Sequence, residues 1–217
     1  MIAIIDYGCG NILSLKRALD EIGLKNKVTS SQEEIHNSNC IILPGVGAFE
    51  NAITLLKKKD LLNLIVEIVK QKKKPLIGIC LGMQMLFDKS YEMGEHNGLG
   101  LIDGEITKIK NIKSDVKIKI PHINWSKIFF NINDKFCEIV ANELNERSFY
   151  FIHSYFAIPK KKKNVIAYCN YYDIQIPAIV KKDNVIGFQF HPEKSGQNGL
   201  KLLKFTLQSL IEENKKS

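Results

Sequence analysis

Short runs of consecutive apolar residues, each followed by a turn and an amphipathic stretch, constrain the fold of this chain most strongly. Three such runs lie at residues 2–5, 41–43 and 76–79. A strand that is apolar on both faces needs cover on both sides, which is typical of a parallel sheet flanked by its crossover helices. Apolar residues at helical spacing predict a first helix from Asn11 onwards, and a second helix is predicted over residues 50–73.

From about residue 99 the pattern changes to shorter segments with alternating apolar residues. These segments predict strands at residues 106–109, 116–120, 149–152, 165–168 and 185–190. We interpret them as the more antiparallel part of one mixed sheet, closed by an amphipathic helix over residues 199–210 and a polar tail. The predicted fold class is α/β: a single domain over residues 1–217, with a mixed, mainly parallel sheet flanked by helices and a β-rich C-terminal half.

Composition excludes several broad classes of protein. Hydrophobic residues make up 45% of the 217 residues and charged residues 25%, which is close to the globular average and argues against disorder. No apolar stretch approaches the roughly 20 residues that a membrane-crossing helix needs, and we expect no signal peptide. The five cysteines are an odd number without CxxC pairs, so we expect free thiols, no disulfide framework, no metal site and a cytoplasmic location.

A formal net charge of +8 raises the question of a polyanionic partner. Lysines cluster in short runs at residues 57–59, 72–74 and 160–163, without interleaved aromatic residues or a recognisable nucleic-acid-binding module. Such runs are usually solvated surface. We therefore expect neither a nucleic acid nor a membrane as a partner, and a surface for a polyanion or an acidic protein stays the alternative.

The sharpest chemical signal is the sequence Gly-Ile-Cys-Leu-Gly at residues 78–82. Cys80 stands between two glycines, at the junction of a predicted buried strand with a helical segment. Small flanking residues permit the sharp, strained turn of a nucleophile elbow, which points the side chain out above the sheet. The N-terminus of the helix behind the cysteine would favour the thiolate. Taken alone, the pattern fits a buried structural thiol equally well.

A second signal is the His191-Pro192-Glu193 sequence directly after the strand predicted at residues 185–190. In an extended chain, residues two apart project to the same side, so we expect the imidazole and the carboxylate to lie together. His191 could then act as general base and acid while Glu193 fixes its tautomer. A single histidine at a strand end is usually structural, but this pair together with an elbow cysteine indicates nucleophilic catalysis.

The third signal is the turn Pro-Gly-Val-Gly-Ala-Phe at residues 44–49, which precedes the strand of Cys80. Its two glycines, Gly45 and Gly47, flank Val46 and permit a backbone that turns its N–H groups toward a developing oxyanion. By itself this sequence fits an ordinary strand-to-helix turn. Next to an elbow cysteine we interpret it as an oxyanion strand.

Together these three motifs resemble those of the class I (triad) glutamine amidotransferases. Further segments resemble the glutaminase subunits of imidazole glycerol phosphate synthase within that class, at residues 6–11, 98–104, 121–125, 150–155 and 187–195. The resemblance spans nearly the whole chain. It implies a class I glutaminase fold, no cofactor, and a heterodimer with a (β/α)8-barrel synthase subunit that receives the ammonia in histidine biosynthesis.

The resemblance also implies roles for individual residues. Cys80 would attack the carboxamide of L-glutamine, and His191, supported by Glu193, would pass a proton to the departing ammonia. The positions that match the oxyanion and glutamine site of the family are Gly45, Val46, Gly47, Leu81, Gln84, Glu92, Ser154 and Tyr155. The positions that match the partner interface and the ammonia gate are Asn11, Arg17, Trp125, Tyr150 and Lys194.

The chain departs from the family pattern beside Trp125, where Asn124 stands in place of the usual glycine and Ser126 in place of the usual asparagine. This departure leaves the glutaminase chemistry intact and leaves the ammonia acceptor open. One alternative is a paralogous glutaminase that supplies ammonia to a sugar amidotransferase in surface-glycan biosynthesis. Two more are a cysteine peptidase or γ-glutamyl hydrolase with the same elbow, and a glutaminase-like binding module without activity.

Overall fold

The computed structural model describes residues 1–110, 118–131 and 135–216. The strands are, in chain order, β1 (Ile2–Ile5), β2 (Asn26–Thr29), β3 (Cys40–Leu43), β4 (Leu76–Ile79), β5 (Phe87–Ser90), β6 (His96–Asn97), β7 (Ile102–Lys108), β8 (His122–Lys127), β9 (Phe129–Phe130), β10 (Ser148–His153), β11 (Tyr155–Pro159), β12 (Val165–Tyr171), β13 (Ile174–Lys182) and β14 (Val185–Phe188). The helices are α1 (Ile12–Glu21), α2 (Gln32–Asn37), α3 (Phe49–Lys58), α4 (Leu61–Lys70), α5 (Leu81–Met85), α6 (Lys135–Leu144) and α7 (Gly196–Lys216). Short 3-10 helices lie at Lys162–Asn164 and Pro192–Lys194.

An eight-stranded mixed sheet in the order β2-β1-β3-β4-β14-β13-β12-β9 forms the centre of the molecule. Its first five strands are parallel to one another, and the last three continue it in antiparallel pairings. The prediction of a mixed, mainly parallel sheet is thereby confirmed. The strands predicted at the three apolar runs are confirmed as β1, β3 and β4.

Helices cover both faces of this sheet, which explains why its central strands are apolar on both sides. In β1, the side chains of Ile2 and Ile4 pack into a core with residues of α1, α6 and α7. The side chains of Ala3 and Ile5 pack into a second core with residues of α2, α3 and α4. Each isoleucine buried in this way contributes about 2 kcal/mol of hydrophobic stabilisation.

The second half of the chain does not all join the central sheet, so the prediction of one continuous mixed sheet is wrong for two groups of strands. β8 and β10 form a separate antiparallel pair, and β11, β7, β5 and β6 form a four-stranded sheet. The burial patterns give the reason. β7 buries every second residue over most of its length and β8 is mostly exposed, whereas a strand inside the central sheet must be covered on both faces.

The stretch predicted as one helix over residues 50–73 is two helices. Asp60 has a left-handed backbone with a φ of 55°, which ends the first helix and turns the chain into the second. A straight helix of that length would extend about 36 Å, far past the four-residue strands beneath it. The turn lets α3 and α4 place their apolar faces in the same core.

Two other bounds differ from the sequence predictions. The closing helix is longer than residues 199–210, because α7 continues through most of the segment predicted as a polar tail. The strand predicted at residues 116–120 lies partly outside the described residues, and residues 118–120 are not in a strand. In the described parts of the chain, no helix is both long and apolar enough to cross a membrane.

Candidate active site

Cys80 lies at the turn between β4 and α5, in a backbone conformation that a side chain rarely adopts. Its φ is 54° and its ψ is −109°, and such a conformation persists only where the surroundings hold it. The N–H of Cys80 donates to the carbonyl oxygen of Phe188 at 2.7 Å, and its carbonyl oxygen accepts from the N–H of Gln84 at 3.1 Å. The residue is 7% exposed and lines the cavity described below.

Glycines around Cys80 make this turn possible. A Cβ on Gly82 would lie 1.8 Å from the carbonyl oxygen of Leu43, and one on Gly78 would lie 2.7 Å from the carbonyl oxygen of Gly82. Gly45 packs against the same turn, where a Cβ would lie 2.8 Å from the backbone nitrogen of Gly82. All three contacts are with backbone atoms, which cannot yield as a flexible side chain can. The elbow therefore packs on the end of β3 only when these positions are glycine.

His191 comes to the elbow because β14 lies beside β4. The two strands are parallel neighbours, with Phe188 opposite Ile79, so the residues that follow each strand meet at the same edge of the sheet. The N–H of His191 donates to the carbonyl oxygen of Tyr150 at 3.0 Å, which ties this segment to β10. The imidazole is buried and lines the same cavity as Cys80.

Glu193 holds the imidazole of His191 from behind. Its Oε1 lies 2.8 Å from Nδ1 of His191, and both side chains are 3% exposed. The two groups meet as the sequence predicted, but Pro192–Lys194 forms a 3-10 turn in place of the extended chain that we expected. Because the carboxylate accepts from Nδ1–H, Nε2 is the ring nitrogen left for the thiol.

Two opposing effects act on the pKa of His191. Burial lowers the pKa, but the neighbouring Cys80 and Glu193, the second of which is hydrogen-bonded to Nδ1, outweigh burial and raise the pKa well above its usual value. The imidazole is therefore stabilised as an imidazolium. This is the protonation state that can transfer a proton to a leaving group.

A cavity of about 320 Å³ opens in front of Cys80. This volume is at the small end of ligand pockets and suits an amino acid. The residues predicted from sequence that line it are Val46, Gly47, Cys80, Leu81, Gln84, Glu92, Ser154, Tyr155, His191 and Lys194. Two predicted residues stand behind the lining, since Gly45 lies under the elbow and Glu193 lies behind the imidazole.

Gln84 and Glu92 both have backbone partners at the cavity wall. Nε2 of Gln84 donates to the carbonyl oxygen of Tyr155 at 2.9 Å, and Oε2 of Glu92 accepts from the N–H of Phe49 at 2.7 Å. Phe49 is the first residue of α3 and stands two residues after Gly47 of the predicted oxyanion strand. Glu92 thus satisfies one of the free N–H groups of a helix N-terminus and fixes the end of that strand.

Four residues at the site were not singled out from sequence. Ile152 and His153 also line the cavity, and the fully buried Gln189 places its Nε2 4.0 Å from the sulfur of the elbow cysteine. The buried hydroxyl of Tyr7 donates to the carbonyl oxygen of Pro44 at 2.8 Å and so supports the oxyanion strand. A signal was available for Gln189, because a polar residue between two phenylalanines of a buried run needs a hydrogen-bond partner.

The two-stranded sheet carries two of the residues predicted at a partner interface. Trp125 of β8 is opposite Tyr150 of β10 in the strand register, and their ring centroids are 6.0 Å apart. The neighbouring register pair on the same face is Ile123 and Ile152. Trp125 and Ile123 are each 52% exposed, so this sheet presents an apolar outer face, which we call the outer face of β8–β10.

The other predicted interface residues come from different elements. Asn11 precedes the first turn of α1, and Arg17 is exposed on that helix. α1 contacts the 3-10 turn that carries Lys194. Of the two departures from the family pattern, Asn124 is exposed, whereas Ser126 is buried and belongs to a hydrogen-bonded group considered below.

Comparisons with known proteins match nearly the whole chain. A model of the family described as glutamine amidotransferase class-I matches residues 3–208. The imidazole glycerol phosphate synthase subunit HisH of Bacillus cereus (strain ATCC 10987 / NRS 248) is 47% identical over 207 residues, which covers 94% of this chain and 92% of that protein. The HisH subunit of Bacillus anthracis (strain CDC 684 / NRRL 3495) has the same identity and coverage.

Solved structures share the fold at much lower identity. A crystal structure described as a glutamine amidotransferase has a TM-score of 0.71 at 17% identity and covers 98% of this chain and 100% of that one. The structure of PurLQS from Thermotoga maritima has a TM-score of 0.72 at 20% identity and covers 96% and 98%. These two likenesses concern the fold alone. The family match and the relatives at 47% identity go further, and the chain belongs to the class-I glutamine amidotransferase family, in the group of the imidazole glycerol phosphate synthase HisH subunits.

Proposed function

We propose that this chain is the glutaminase subunit of imidazole glycerol phosphate synthase, which hydrolyses L-glutamine to glutamate and ammonia and passes the ammonia to a synthase subunit. The observation that carries the proposal is the cavity shared by Cys80 and His191, with Glu193 2.8 Å behind the imidazole. The identity of 47% with HisH subunits supports the pathway. Residues 1–217 would then form a single glutamine amidotransferase type 1 domain.

The first half of the reaction is attack by the sulfur of Cys80 on the carboxamide carbon of glutamine. The attacking group is the thiolate, and the imidazolium of His191 stabilises its charge. As the C–S bond forms, the C=O π electrons move to oxygen. His191 then gives its proton to the departing nitrogen, so that ammonia leaves and a thioester remains. Glu193 keeps the ring oriented and stabilises its charged form.

The second half of the reaction releases glutamate. Neutral His191 takes a proton from water, the resulting hydroxide adds to the thioester carbon, and the C–S bond breaks to return the thiolate of Cys80. The proton stays on the imidazole, so the ion pair of the starting state is restored. The γ-carboxylic acid that is freed loses its proton to solvent and leaves as glutamate.

Both tetrahedral intermediates carry a negative oxygen that needs N–H donors. Leu81 is the first residue of α5, so its N–H has no acceptor within the helix. The second donor would come from the oxyanion strand of Gly45, Val46 and Gly47, where Gly47 has a φ of 93°. In other enzymes the loss of one such donor costs about 3 kcal/mol of transition-state stabilisation.

The amino-acid end of glutamine would lie against the opposite side of the cavity. Glu92 supplies a negative charge for the ammonium group, and Gln84 supplies a polar side chain beside it. The backbone of Ser154 and Tyr155 would bind the carboxylate. All four residues line the cavity, which supports this placement of the substrate.

We further propose that the partner is a (β/α)8-barrel synthase subunit, bound as a heterodimer at the outer face of β8–β10. The known relatives are named as subunits, and a contiguous exposed apolar face is typical of a protein interface. Ile152 belongs to this face and also lines the cavity, which supports a short path for ammonia. Asn11, Arg17 and Lys194 would contact the partner at the edge of the same face.

The alternative functions have less support. The HisH names of relatives at 47% identity favour histidine biosynthesis over a sugar amidotransferase. The family match weighs against a peptidase, and the cavity shared by Cys80 and His191 weighs against an inactive binding module. A cytoplasmic location stays a proposal that rests on the free thiols Cys9, Cys40, Cys80 and Cys169.

The proposal is tested by purifying the chain with a barrel subunit and measuring glutamine-dependent formation of imidazole glycerol phosphate. We expect Cys80→Ala to abolish glutamine hydrolysis, while synthesis from added ammonia continues because the acceptor chemistry takes place on the partner. Glutamine hydrolysis by Cys80→Ala would refute the assignment of Cys80 as the nucleophile. Transfer of ammonia only to a nucleotide sugar would refute the assignment to histidine biosynthesis.

We also expect the chain without its partner to hydrolyse glutamine slowly, because the oxyanion strand can then adopt an inactive orientation.

A further inference from the structure

A line of buried hydrogen bonds runs from the two-stranded sheet to the cavity. Oγ of Ser126 lies 2.9 Å from Nε2 of His122, and Nδ1 of His122 lies 3.0 Å from Nε2 of His153. Nδ1 of His153 lies 2.9 Å from the carbonyl oxygen of Tyr155. The three side chains are buried, and the chemistry proposed above uses none of them. We call these residues the Ser126–Tyr155 line.

Hydrogen bonds along this line have one direction when both rings are neutral. The carbonyl oxygen of Tyr155 can only accept, so Nδ1 of His153 carries the proton and its Nε2 is bare. That bare nitrogen accepts from Nδ1–H of His122, whose own Nε2 accepts from the hydroxyl of Ser126. Burial lowers the pKa of His122 to about 4 and is the first cause that lowers that of His153 to about 3, so both rings are neutral at neutral pH.

At Tyr155 the line reaches the side of the cavity against which glutamine would bind. The carbonyl oxygen of Tyr155 accepts a second hydrogen bond, from Nε2 of Gln84 at 2.9 Å. Gln84 also donates to Oε1 of Gln189 at 3.2 Å, and Gln189 approaches the sulfur of Cys80. The orientation of one carbonyl group therefore affects both a residue of the glutamine site and a neighbour of the nucleophile.

His153 lines the cavity but has no free ring nitrogen to offer a substrate. Both of its nitrogens are used within the line, so it is not available as a base or as a ligand for glutamine. One of these hydrogen bonds joins it to the peptide of Tyr155.

We propose that Ser126, His122 and His153 are positioning residues for glutamine recognition, because their one-directional hydrogen bonds set the orientation of the Tyr155 carbonyl group and through it that of the Gln84 amide. This inference rests on the proposed glutaminase function and deepens it. The three side chains do not contact the reacting atoms. Their loss should therefore weaken glutamine binding more than it slows the chemical step.

The direction of the line is tested by long-range ¹H–¹⁵N NMR correlation spectra of the full-length chain at neutral pH. Signals are assigned by their disappearance in His122→Phe and His153→Gln. We expect two neutral rings, each with its proton on Nδ1. A ring protonated on Nε2, or on both nitrogens, at either position would overturn the proposed direction.

A pair of substitutions at His122 separates hydrogen bonding from packing. The ring of His122 stacks on Phe151 and on Tyr171, with centroids 5.0 Å and 3.9 Å away. His122→Phe keeps the stacked ring and removes both hydrogen bonds. His122→Asn loses the stacked ring but keeps an N–H donor near the place of Nδ1. If packing alone matters, His122→Asn should be the more damaging variant. If the hydrogen bonds position the glutamine site, His122→Phe should have the higher KM.

KM and kcat of glutamine hydrolysis are then compared in complexes with the synthase subunit. We expect His122→Phe to raise KM about tenfold, because a buried acceptor on His153 loses its donor, and to change kcat less than about twofold. His122→Asn should have a KM closer to that of the unaltered complex, although it lowers the melting temperature more. Ser126→Ala, at the remote end, should raise KM about threefold, and Ser126→Thr, which keeps the hydroxyl, should restore it.

The possible results separate this inference from the proposed function. If the unaltered complex does not hydrolyse glutamine, both fail. If it does, and His122→Phe has an unaltered KM or a lower KM than His122→Asn, the positioning role is overturned while the glutaminase function stands. If His122→Phe does not fold, the comparison of Ser126→Ala with Ser126→Thr decides, and an equal KM for those two variants overturns the inference.

Discussion

Two buried histidines line the same cavity, and their partners give them opposite properties. Burial lowers the pKa of His191, but Cys80 and Glu193 outweigh this effect and raise it. At His153, on the two-stranded sheet, burial is opposed only by a backbone carbonyl, and the pKa falls to about 3. The first ring is held as a charged proton donor and the second as a neutral link between fixed hydrogen bonds. At similar burial, the partners of these two histidines therefore decide which of them carries a charge.

The strands next to these two histidines also differ in how closely they are packed. Every residue of β4 and β14 is buried, and the elbow between them and β3 packs backbone against backbone. The two-stranded sheet exposes its outer face, including Trp125 and Ile123. The closely packed elbow and strands hold the proposed nucleophile and its base, and the peripheral two-stranded sheet holds residues proposed for recognition of the substrate and of the partner. This comparison can be tested at four points.

The largest effect is expected at the elbow around Cys80, from Gly82→Ala. The new Cβ would lie 1.8 Å from the carbonyl oxygen of Leu43, so the elbow and β3 would have to separate. We expect a loss of about 3 kcal/mol or more in the free energy of unfolding, measured by urea denaturation. Glutaminase activity should be lost as well.

The matched control for this substitution is Gly23→Ala. Nothing lies within 4 Å of its added Cβ, and its φ is 74°, so only backbone strain of about 1 kcal/mol is expected. Equal losses of stability at the two glycines would show that the elbow is not held by close packing. The proposed difference between the elbow and the two-stranded sheet would then be wrong.

The second effect concerns the charge behind His191. Glu193→Gln keeps the size of the side chain and removes the charge that stabilises the imidazolium, so we expect kcat of glutamine hydrolysis to fall about 100-fold or more. KM should change little, because Glu193 does not line the cavity. Glu92→Gln is the comparison, since Glu92 lines the cavity and its loss should act mainly on KM. A normal kcat in Glu193→Gln would contradict the triad.

A third prediction uses the opposite pKa shifts of the histidines. For His122 and His153 the folded pKa lies below the ordinary 6.5, so their contribution to stability is fully present above pH 6.5 and is lost as the pH falls toward 4. For His191 the folded pKa is raised, so its contribution is present below pH 6.5 and is lost as the pH rises through the raised pKa.

The measurement is the free energy of unfolding as a function of pH. Between pH 6.5 and pH 5, the free energy of unfolding of His122→Phe should fall by about 2 kcal/mol less than that of the unaltered chain. In the unaltered chain the ring of His122 gains a proton only on unfolding, which favours the unfolded state at low pH, and the variant has no such ring. His191→Gln should act mainly on the alkaline side. If the free energy of unfolding falls equally below pH 6.5 in His122→Phe and in the unaltered chain, His122 is not buried as a neutral ring.

The smallest effect is expected at the outer face of β8–β10. Trp125→Ala should weaken binding of the barrel subunit about tenfold, or about 1.4 kcal/mol, and should leave the stability of the isolated chain nearly unchanged. Isothermal titration calorimetry measures the binding. Ile158→Ala is the control, because Ile158 is also an exposed apolar residue but belongs to the four-stranded sheet. Equal Kd values for the two variants would place the partner elsewhere.

Five strands of the central sheet, β1, β3, β4, β12 and β14, could be predicted from sequence because they appear as apolar or alternating runs. The neighbouring strand β13 was missed although most of its residues are buried, because Gln175 and Pro177 interrupt its apolar run. The same rule fails for strands that are covered on one side only. β2 has one buried residue among four, and β8 is mostly exposed, so neither stands out from a loop. The break at Asp60 was also missed, because a left-handed residue between two amphipathic stretches leaves the apolar periodicity almost unchanged.

The candidate triad could be predicted because its signals are local. Cys80 lies between glycines, and His191 is two residues from Glu193. The Ser126–Tyr155 line has no such signal, because His122 and His153 meet only through the register of β8 and β10. That register depends on long-range pairing between strands, which no spacing within one segment reveals. Sequence therefore predicted the residues of the proposed chemistry better than those that position them.

Covalent labelling tests the central claim most directly. A glutamine analogue with an electrophilic diazoketone in place of the carboxamide is added to the complete complex, and the labelled residue is identified by mass spectrometry. We predict one adduct, on Cys80, that excess glutamine prevents. Labelling of another thiol such as the half-buried Cys9, or an intact and unlabelled Cys80 in a complex that hydrolyses glutamine, would contradict the account.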